Sequence, residues 1–558
     1  MARMTGGEAI VKGLISNGIH TIFGLPGVQM DGFFNALFDA GEAVRVIPSR
    51  HEQGAGYMAL GWAAATGGVG CYAVVPGPGF LNASAALCTA YGMNAKVLCV
   101  CGQIPSAAIG KGIGLLHEIP DQLAVMRSLT KWAERMDDAS EVPAKLGEAL
   151  RQLHAGRPRP VAVEMAMDVM ARERDVGPFA AVQADGHPAV DADAVARAAK
   201  LLGEARHPLI FVGGGALDAC EEVEALAVAL QAPVISTRMG RGVLSSRHYL
   251  SQNAPTGYKL WAQADAVLGV GTRMQIPLMN WGVDDDLKLI RIDIDPQEPG
   301  RVAPPAVSIV ADARDALRAL IPQVERHNRK RAGREAELTA LAATTAGEYA
   351  YLEPQLSYVK VLREELPEDG ILLDELTQVG YVSRFAMPVY GPRTFISSGY
   401  QGTLGWGMAT AIGVKMARPE RPLLAVAGDG GFMFNVQELA TAVQHEVGVV
   451  MVVFNDGAYG NVKRMQKELY GNRVIATDLR NPDFVKLAEA FGAQGLRARS
   501  LDELRQAIRK GFATRGPTVI DVPVGEMPDP WRYIYQPRLR GKDKGARTGP
   551  GNVGAAKP

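Results

Sequence analysis

The chain has 558 residues, too many for one hydrophobic core, and its 47% hydrophobic and 21% charged residues suit about three soluble globular domains. Lys+Arg and Asp+Glu are both 59, so the formal net charge is zero and nothing supplies the basic face of a nucleic-acid or acidic-membrane binder. No uninterrupted apolar stretch reaches the roughly 18 residues of a membrane span, and MARMTGGEAIVKGLI lacks the charged-then-apolar order of a signal peptide. The cysteines (71, 88, 99, 101 and 220) are odd in number, and several lie in apolar runs. That suits buried free thiols in a cytoplasmic protein better than disulfides or a zinc site.

Short runs rich in Val, Ile and Leu alternate along the chain with Ala/Leu/Glu segments of helical period. The runs are Val44–Pro48, Lys96–Cys101, Arg159–Glu164, Pro208–Val212, Ala266–Val270, Lys288–Ile292, Gly370–Leu373, Leu423–Ala427, Val447–Phe454 and Pro517–Val522. Such alternation predicts an α/β protein with mainly parallel sheets buried on both faces. Two polar stretches, Glu173–Ala192 and Val324–Pro354, interrupt it. The expected plan is three doubly wound domains over 1–175, 190–325 and 355–530, with a helical linker at 326–354 and a tail at 531–558. The basic cluster Arg538, Arg540, Lys542, Lys544 and Arg547 reads as a solvated terminus.

The stretch LLAVAGDGGFMFNVQELATAVQHEVGVVMVVFNDGAYG (423–460) carries the chemistry. Leu423–Ala427 reads as a strand, Asn435–Glu446 as a helix and Val447–Phe454 as the next strand. In a right-handed βαβ unit both strands end at one edge of the sheet, which brings Asp429 and Asp456 together across 27 residues of sequence. Gly428, Gly430 and Gly431 leave bare N–H groups at the following helix start, where a phosphate is favoured. Hard oxygen ligands beside a phosphate cradle describe a Mg²⁺ site that also holds a diphosphate. A lone Asp-Gly turn is commonly just a strand terminator, but GDGG followed by a second D-G at this spacing is far more specific. A P-loop is excluded, because no G-x-x-x-x-G-K-[ST] occurs.

This stretch resembles the thiamine-diphosphate signature that opens on GDG and closes on a pair of asparagines. IFGLPGVQMD, IPSRHEQGAGYMALGWA, VVPGPGFLNA, GQIPSAAIGKGIGLLHEIPDQ and GTLGWGMATAIG extend the likeness over nearly the whole chain. The family includes acetolactate synthase, pyruvate oxidase, benzaldehyde lyase and 2-oxo acid decarboxylases. The resemblance implies a pyrimidine-binding domain, a central domain and a diphosphate-binding domain. It places Mg²⁺ on Asp429, Asp456 and the main chain of Ala458; Asn455-Asp456 stands where the family has two asparagines. Glu52 corresponds to the glutamate that hydrogen-bonds the cofactor's pyrimidine nitrogen, and Leu404 to the apolar residue that props its two rings into a V. Pro26, Thr377, Gln378, Gly402, Gly428, Gly430, Gly431 and Tyr459 fall among the family's cofactor contacts.

The substrate side would be lined by Gln29, Gln103, His117 and Asn461. Gln29 stands where benzaldehyde lyase has a catalytic histidine, and Gln103, His117 and Glu118 occupy the loop resembling the acetolactate synthase segment that ends in Gln-Glu. Gln29 and His117 join Glu52 and Leu404 as catalytic candidates; His51 and His117 are acid–base candidates, since imidazole titrates near neutrality. The central segment has IFVGGGA, VLGVGTRM and IRIDIDP but no complete G-x-G-x-x-G. FAD, which acetolactate synthases and pyruvate oxidases bind there, is therefore left open. The implied activity is Mg²⁺-dependent carboligation of pyruvate in the manner of acetolactate synthase. Decarboxylation of a larger 2-oxo acid, of the 2-ketoarginine type, and flavin-dependent oxidation are the alternatives. The family builds its sites between subunits, so a homodimer or homotetramer acting on small carbonyl compounds is expected.

Overall fold

Runs of Val, Ile and Leu become strands buried on both faces, because helices cover both sides of every large sheet. The computed structural model describes residues 1–182 and 186–541. Its strands are β1 (Ala2–Thr5), β2 (Thr21–Gly24), β3 (Arg45–Pro48), β4 (Gly70–Val74), β5 (Val97–Gln103), β6 (Trp132–Met136), β7 (Val161–Ala166) and β8 (Glu173–Val176) in the N-terminal part. The central part holds β9 (Pro208–Val212), β10 (Val234–Ser236), β11 (Ser251–Gln252), β12 (Ala266–Val270), β13 (Lys288–Asp293) and β14 (Val307–Val310). The C-terminal part holds β15 (Ile371–Asp374), β16 (Phe395–Ser397), β17 (Leu423–Gly428), β18 (Val450–Asn455), β19 (Gln494–Arg497) and β20 (Thr518–Pro523).

Three six-stranded parallel sheets result. The N-terminal sheet runs β3-β2-β4-β5-β7-β6 and the C-terminal sheet β16-β15-β17-β18-β20-β19, which is one and the same winding, 2-1-3-4-6-5. The central sheet runs β11-β10-β9-β12-β13-β14, the 3-2-1-4-5-6 order of dinucleotide-binding folds. The fold class is thus the three-domain doubly wound α/β arrangement that the alternation implied.

The N- and C-terminal domains share one continuous apolar core. Its seam is a crossing of two helices, Glu52–Thr66 and Gly407–Ala417, both rich in Gly and Ala and buried on nearly every side. A Cβ on Gly61 would lie 2.1 Å from the Thr410 carbonyl oxygen, and one on Gly413 only 1.9 Å from that of Met58. Backbone therefore meets backbone at the crossing.

Three expectations need correction. The segment read as a helix over Asn435–Glu446 is broken: a one-turn helix Asp429–Phe432 runs into a 3-10 stretch Met433–Glu438 and then a helix Leu439–Gln444. Asn435 leaves helical geometry (φ −130°, ψ 27°) because its Nδ2 donates to the Gly405 carbonyl at 2.6 Å. The polar stretch Glu173–Ala192 is not wholly an interruption, since β8 pairs antiparallel with β1. Nor are Arg538 and Arg540 solvated. Arg540 donates Nε to Trp261 O at 2.9 Å and Nη2 to Ala262 O at 3.0 Å, capping the helix Ala254–Trp261, and pairs with Asp284 at 2.9 Å. Arg538 reaches Met279 O at 3.3 Å. Lys542, Lys544 and Arg547 lie outside the described residues.

Candidate active site

In the C-terminal sheet the connections leave β15 and β17 in opposite directions, so the crevice at their carboxyl ends is the switch point where such sheets take ligands. The loop after β15 and the GDGG turn after β17 face each other there: a Cβ on Gly428 would lie 3.7 Å from both the Leu376 carbonyl oxygen and Thr377 Cβ. Thr377 caps the helix Gln378–Ala386, and the Gln378 Oε1 is buried without a partner among the described residues.

Asp429 is 1% exposed. One of its oxygens accepts from Gly457 N–H at 3.0 Å and from Asn481 Nδ2 at 2.5 Å. Asp456, at the end of β18, accepts from Ala458 N–H at 3.1 Å. Burial, and then the charge of Asp429, push the Asp456 carboxyl up to about 6. A carboxyl group whose proton affinity is raised by a neighbouring carboxylate marks a site with unmet demand for positive charge. The donors are all oxygen, which fits Mg²⁺. Asn455 is turned inward, accepting from Asn481 at 3.0 Å and donating to Asp521 at 3.2 Å, so Asp456 rather than Asn455 stands beside Asp429. Tyr459 lies against the turn, its ring 2.6 Å from where a Cβ on Gly430 would be.

Leu404 projects over the same turn, its Cδ2 3.5 Å from a Cβ built on Gly431. Gly402 takes φ +58° and Gly405 φ +79°, so the residues flanking Leu404 adopt turns that side chains disfavour. Below it, Glu375 is fully buried and accepts from Gly405 N–H at 2.5 Å and Gly407 N–H at 3.2 Å. Burial pushes its carboxyl up to about 7 against the pull of those two donors.

The N-terminal candidates form a second cluster. Glu52 opens its helix, accepts from Asn82 Nδ2 at 3.0 Å, and lies 3.4 Å from a Cβ built on Gly79. Gln29, 3% exposed, donates to Leu116 O at 3.1 Å while its Oε1 finds no partner among the described residues. His117 takes φ +68°, its carbonyl is pressed against Gly77, and its Nδ1 is buried and unpartnered among the described residues. Pro26 is exposed in the turn after β2. His51 spends its Nδ1 on the Gln53 N–H as a helix cap, and Glu118 accepts from the N–H groups of Gly112, Gly114 and Leu115.

Two of the residues expected on the substrate side are engaged in internal hydrogen bonds. Gln103 is 4% exposed and turned into a buried network, its Oε1 on the Ile104 N–H at 2.7 Å and its Nε2 towards Glu164 at 3.5 Å. Asn461 accepts from Trp531 Nε1 at 2.7 Å and from Arg464 at 3.3 Å, which ties the short helix Trp531–Ile534 to the segment after the acidic pair. Sequence reading missed Glu375, Asn435, Asn481 and Glu438. The Glu438 carboxylate accepts from the N–H groups of Arg50 and His51, both at 3.1 Å, and so anchors the loop of Glu52 to the C-terminal domain. Only "DEL", an acidic pair ending a strand, offered any signal for Glu375; Asn481 lies 26 residues from Asn455 with no motif to flag it.

Comparison with known proteins agrees with this geometry. The N-terminal TPP binding domain of thiamine pyrophosphate enzymes matches residues 4–125, the central domain 195–320 and the C-terminal TPP binding domain 377–522. A probable 2-ketoarginine decarboxylase of Pseudomonas aeruginosa is 33% identical, covering 93% of this chain and 94% of its own. A probable acetolactate synthase large subunit of Methanocaldococcus jannaschii is 32% identical, covering 93% and 92%. The acetolactate synthase large subunit of Haemophilus influenzae is 31% identical over 97% of both chains. Matches to all three domains, in order and over nearly the full length, make this chain a member of the thiamine pyrophosphate enzyme family.

Proposed function

We propose that the protein uses thiamine diphosphate and Mg²⁺ to break and form C–C bonds beside the carbonyl of 2-oxo acids, with acetolactate-synthase-like carboligation of pyruvate as the leading reaction. The observation that carries this reading is the Asp429–Asp456 pair at the switch point, with the glycine turn and Leu404 around it. Asp429, Asp456 and the Ala458 carbonyl would hold the metal, with Thr377 and Gln378 beside the diphosphate. Bound there, the cofactor supplies the electron sink for bond changes at a carbonyl carbon. Glu52 would hold a proton against the pyrimidine, and Leu404 would fix the angle between the rings. Gln29 and His117, with one unpartnered atom each, have hydrogen-bonding capacity left for a substrate.

Glu52 supports a site shared between two copies. Its described contacts stay within its own domain, and none joins it to Leu404 or Asp429. Sedimentation in the presence of cofactor should give a dimer or tetramer, and a monomer with full activity would refute the shared site. Simple decarboxylation is the second reading, favoured by the 33% identity to a protein named as a 2-ketoarginine decarboxylase. Flavin participation is decided by colour: a bound flavin would make the purified protein yellow, and the leading reaction predicts turnover without it.

The deciding experiment supplies thiamine diphosphate, Mg²⁺ and pyruvate and follows CO₂ and products by NMR. Acetolactate supports the leading reading. No product from pyruvate, but CO₂ and an aldehyde from 2-ketoarginine, would replace it with the second.

A further inference from the structure

Gly405, the residue that follows Leu404, is gripped through both of its backbone polar groups. The Gly405 N–H donates to Glu375 Oε1 at 2.5 Å, and the Gly405 carbonyl accepts from Asn435 Nδ2 at 2.6 Å. A third contact closes the grip, since a Cβ on Gly405 would lie 2.2 Å from that of Phe434. Glu375 fits beneath only because two neighbours lack side chains. A Cβ on Gly431 would fall 2.3 Å from its Oε1, and one on Gly407 2.3 Å from its Oε2. Each carboxyl oxygen is thus wedged between a glycine it needs absent of bulk and an N–H it holds.

Burying a carboxyl group is costly unless it is hydrogen-bonded, and an apolar residue of similar size would fill the space without that cost. A plain structural account is available: Gly405 and Gly407 open the helix Gly407–Ala417, where an acid is favourable. That account does not explain why the same carboxyl oxygen contacts the space over Gly431, in the diphosphate turn, where Leu404 Cδ2 also ends.

We propose that Glu375 is a positioning residue for the cofactor, which clamps the Leu404–Gly405 peptide and thereby sets Leu404 over the diphosphate turn. The role rests on reading this crevice as a thiamine-diphosphate site. Glu375 touches neither cofactor nor substrate; it acts through Leu404. The grip therefore matters to the ring half of the cofactor and not to its diphosphate.

The test uses the full chain without cofactor and the variant Glu375→Gln, whose amide cannot accept from both N–H groups. Hydrogen exchange at Gly405 and Gly407 should accelerate by roughly tenfold or more, as expected when charge-assisted hydrogen bonds are lost, while far-UV dichroism and the rest of the domain stay unchanged. Fluorescence titration should then show thiamine diphosphate with Mg²⁺ binding about tenfold more weakly, but inorganic pyrophosphate with Mg²⁺ binding as in wild type. In a Leu404→Ala background the same change should no longer matter. Glu375→Asp, which keeps the carboxyl group, should recover part of the difference, and it replaces Glu375→Gln if that variant does not fold. A mere helix cap predicts otherwise: the two ligands would weaken together, or the loss would persist without Leu404, and either result overturns the proposal. Unchanged exchange at Gly405 and Gly407 does so as well. If wild type itself binds pyrophosphate but not thiamine diphosphate, the site reading fails first and takes this role with it, an outcome visible before any variant is made.

Discussion

The N- and C-terminal domains are wound identically, 2-1-3-4-6-5, yet they equip the carboxyl ends of their strands with different chemistry. In the C-terminal domain the neighbouring strands β17 and β18 are followed by paired acids, and β17 by a bare glycine turn at the switch point, which suits a cation and a diphosphate. In the N-terminal domain the corresponding edge carries Glu52, hydrogen-bonded by Asn82, with Gln29 and His117 in neighbouring loops. Winding determines where loops converge; the residues at the strand ends determine what they can bind. On the function proposed above, one domain would bind charge and the other manage a proton.

That division can be broken by experiment, starting with the largest effect. Glu52→Gln should leave thiamine diphosphate affinity within a few-fold of wild type while turnover falls by about 10²–10⁴, the usual worth of a positioned proton-transfer group. Equal losses in affinity and turnover, read from titration and steady-state kinetics, would erase the distinction between the two edges. Asp429→Ala should do the reverse, with Mg²⁺-dependent pyrophosphate binding weakened about 100-fold or more by loss of a metal ligand. Pyrophosphate binding that survives without Asp429 would take the metal away from this edge.

A third change tests whether the two domains act as one body. Gly413→Ala places a methyl where Met58 O stands 1.9 Å away. It should cost about 1–3 kcal/mol through overpacking, and both domains should melt together at a lower temperature. Separate melting of the two domains would show that the shared core is not cooperative.

The smallest effect concerns pH. The Asp456 carboxyl, ordinarily near 3.8, is raised to about 6 in the folded chain by burial and by Asp429. The folded state therefore holds a proton that the unfolded state has lost, so this group favours folding below about pH 4, and that contribution fades as pH rises through about 6. Asp456→Asn should remove this part of the pH dependence, and metal-free melts should show the variant gaining on wild type as pH rises from about 4 to about 6. Added Mg²⁺ and pyrophosphate should narrow the gap by neutralising the pair. A constant difference between the two proteins across pH 4–7 would disprove the coupling.

How far the sequence led depended on how local the cause was. Pro208–Val212 and Ala266–Val270 are strands with the very limits their apolar runs suggest, since a strand buried on both faces needs little beyond its own residues. Asp429 and Asp456 were legible because one βαβ unit juxtaposes them. The break at Asn435 was not, because its cause is a carbonyl 30 residues away on another loop. Glu375 was hidden for the same reason: its partners, Gly405 and Gly407, lie 30 and 32 residues on, and its burial depends on glycines whose absence of bulk looks like ordinary turn chemistry. Arg538 and Arg540 were misread because their composition is that of a free tail, whereas docking depends on carbonyl groups some 279 residues earlier. β8 failed for want of hydrophobic period, its outer residues Glu173, Arg174 and Asp175 being exposed on a two-stranded ribbon.

The Arg540 cap has a consequence in time. Trp261 and Arg540 are 279 residues apart, and a ribosome adding about 5–20 residues per second takes roughly a quarter of a minute to a minute to travel from one to the other. Through that interval the last carbonyls of the helix Ala254–Trp261 are without this cap. The clasp that finishes this domain thus forms long after the helix it caps has been made.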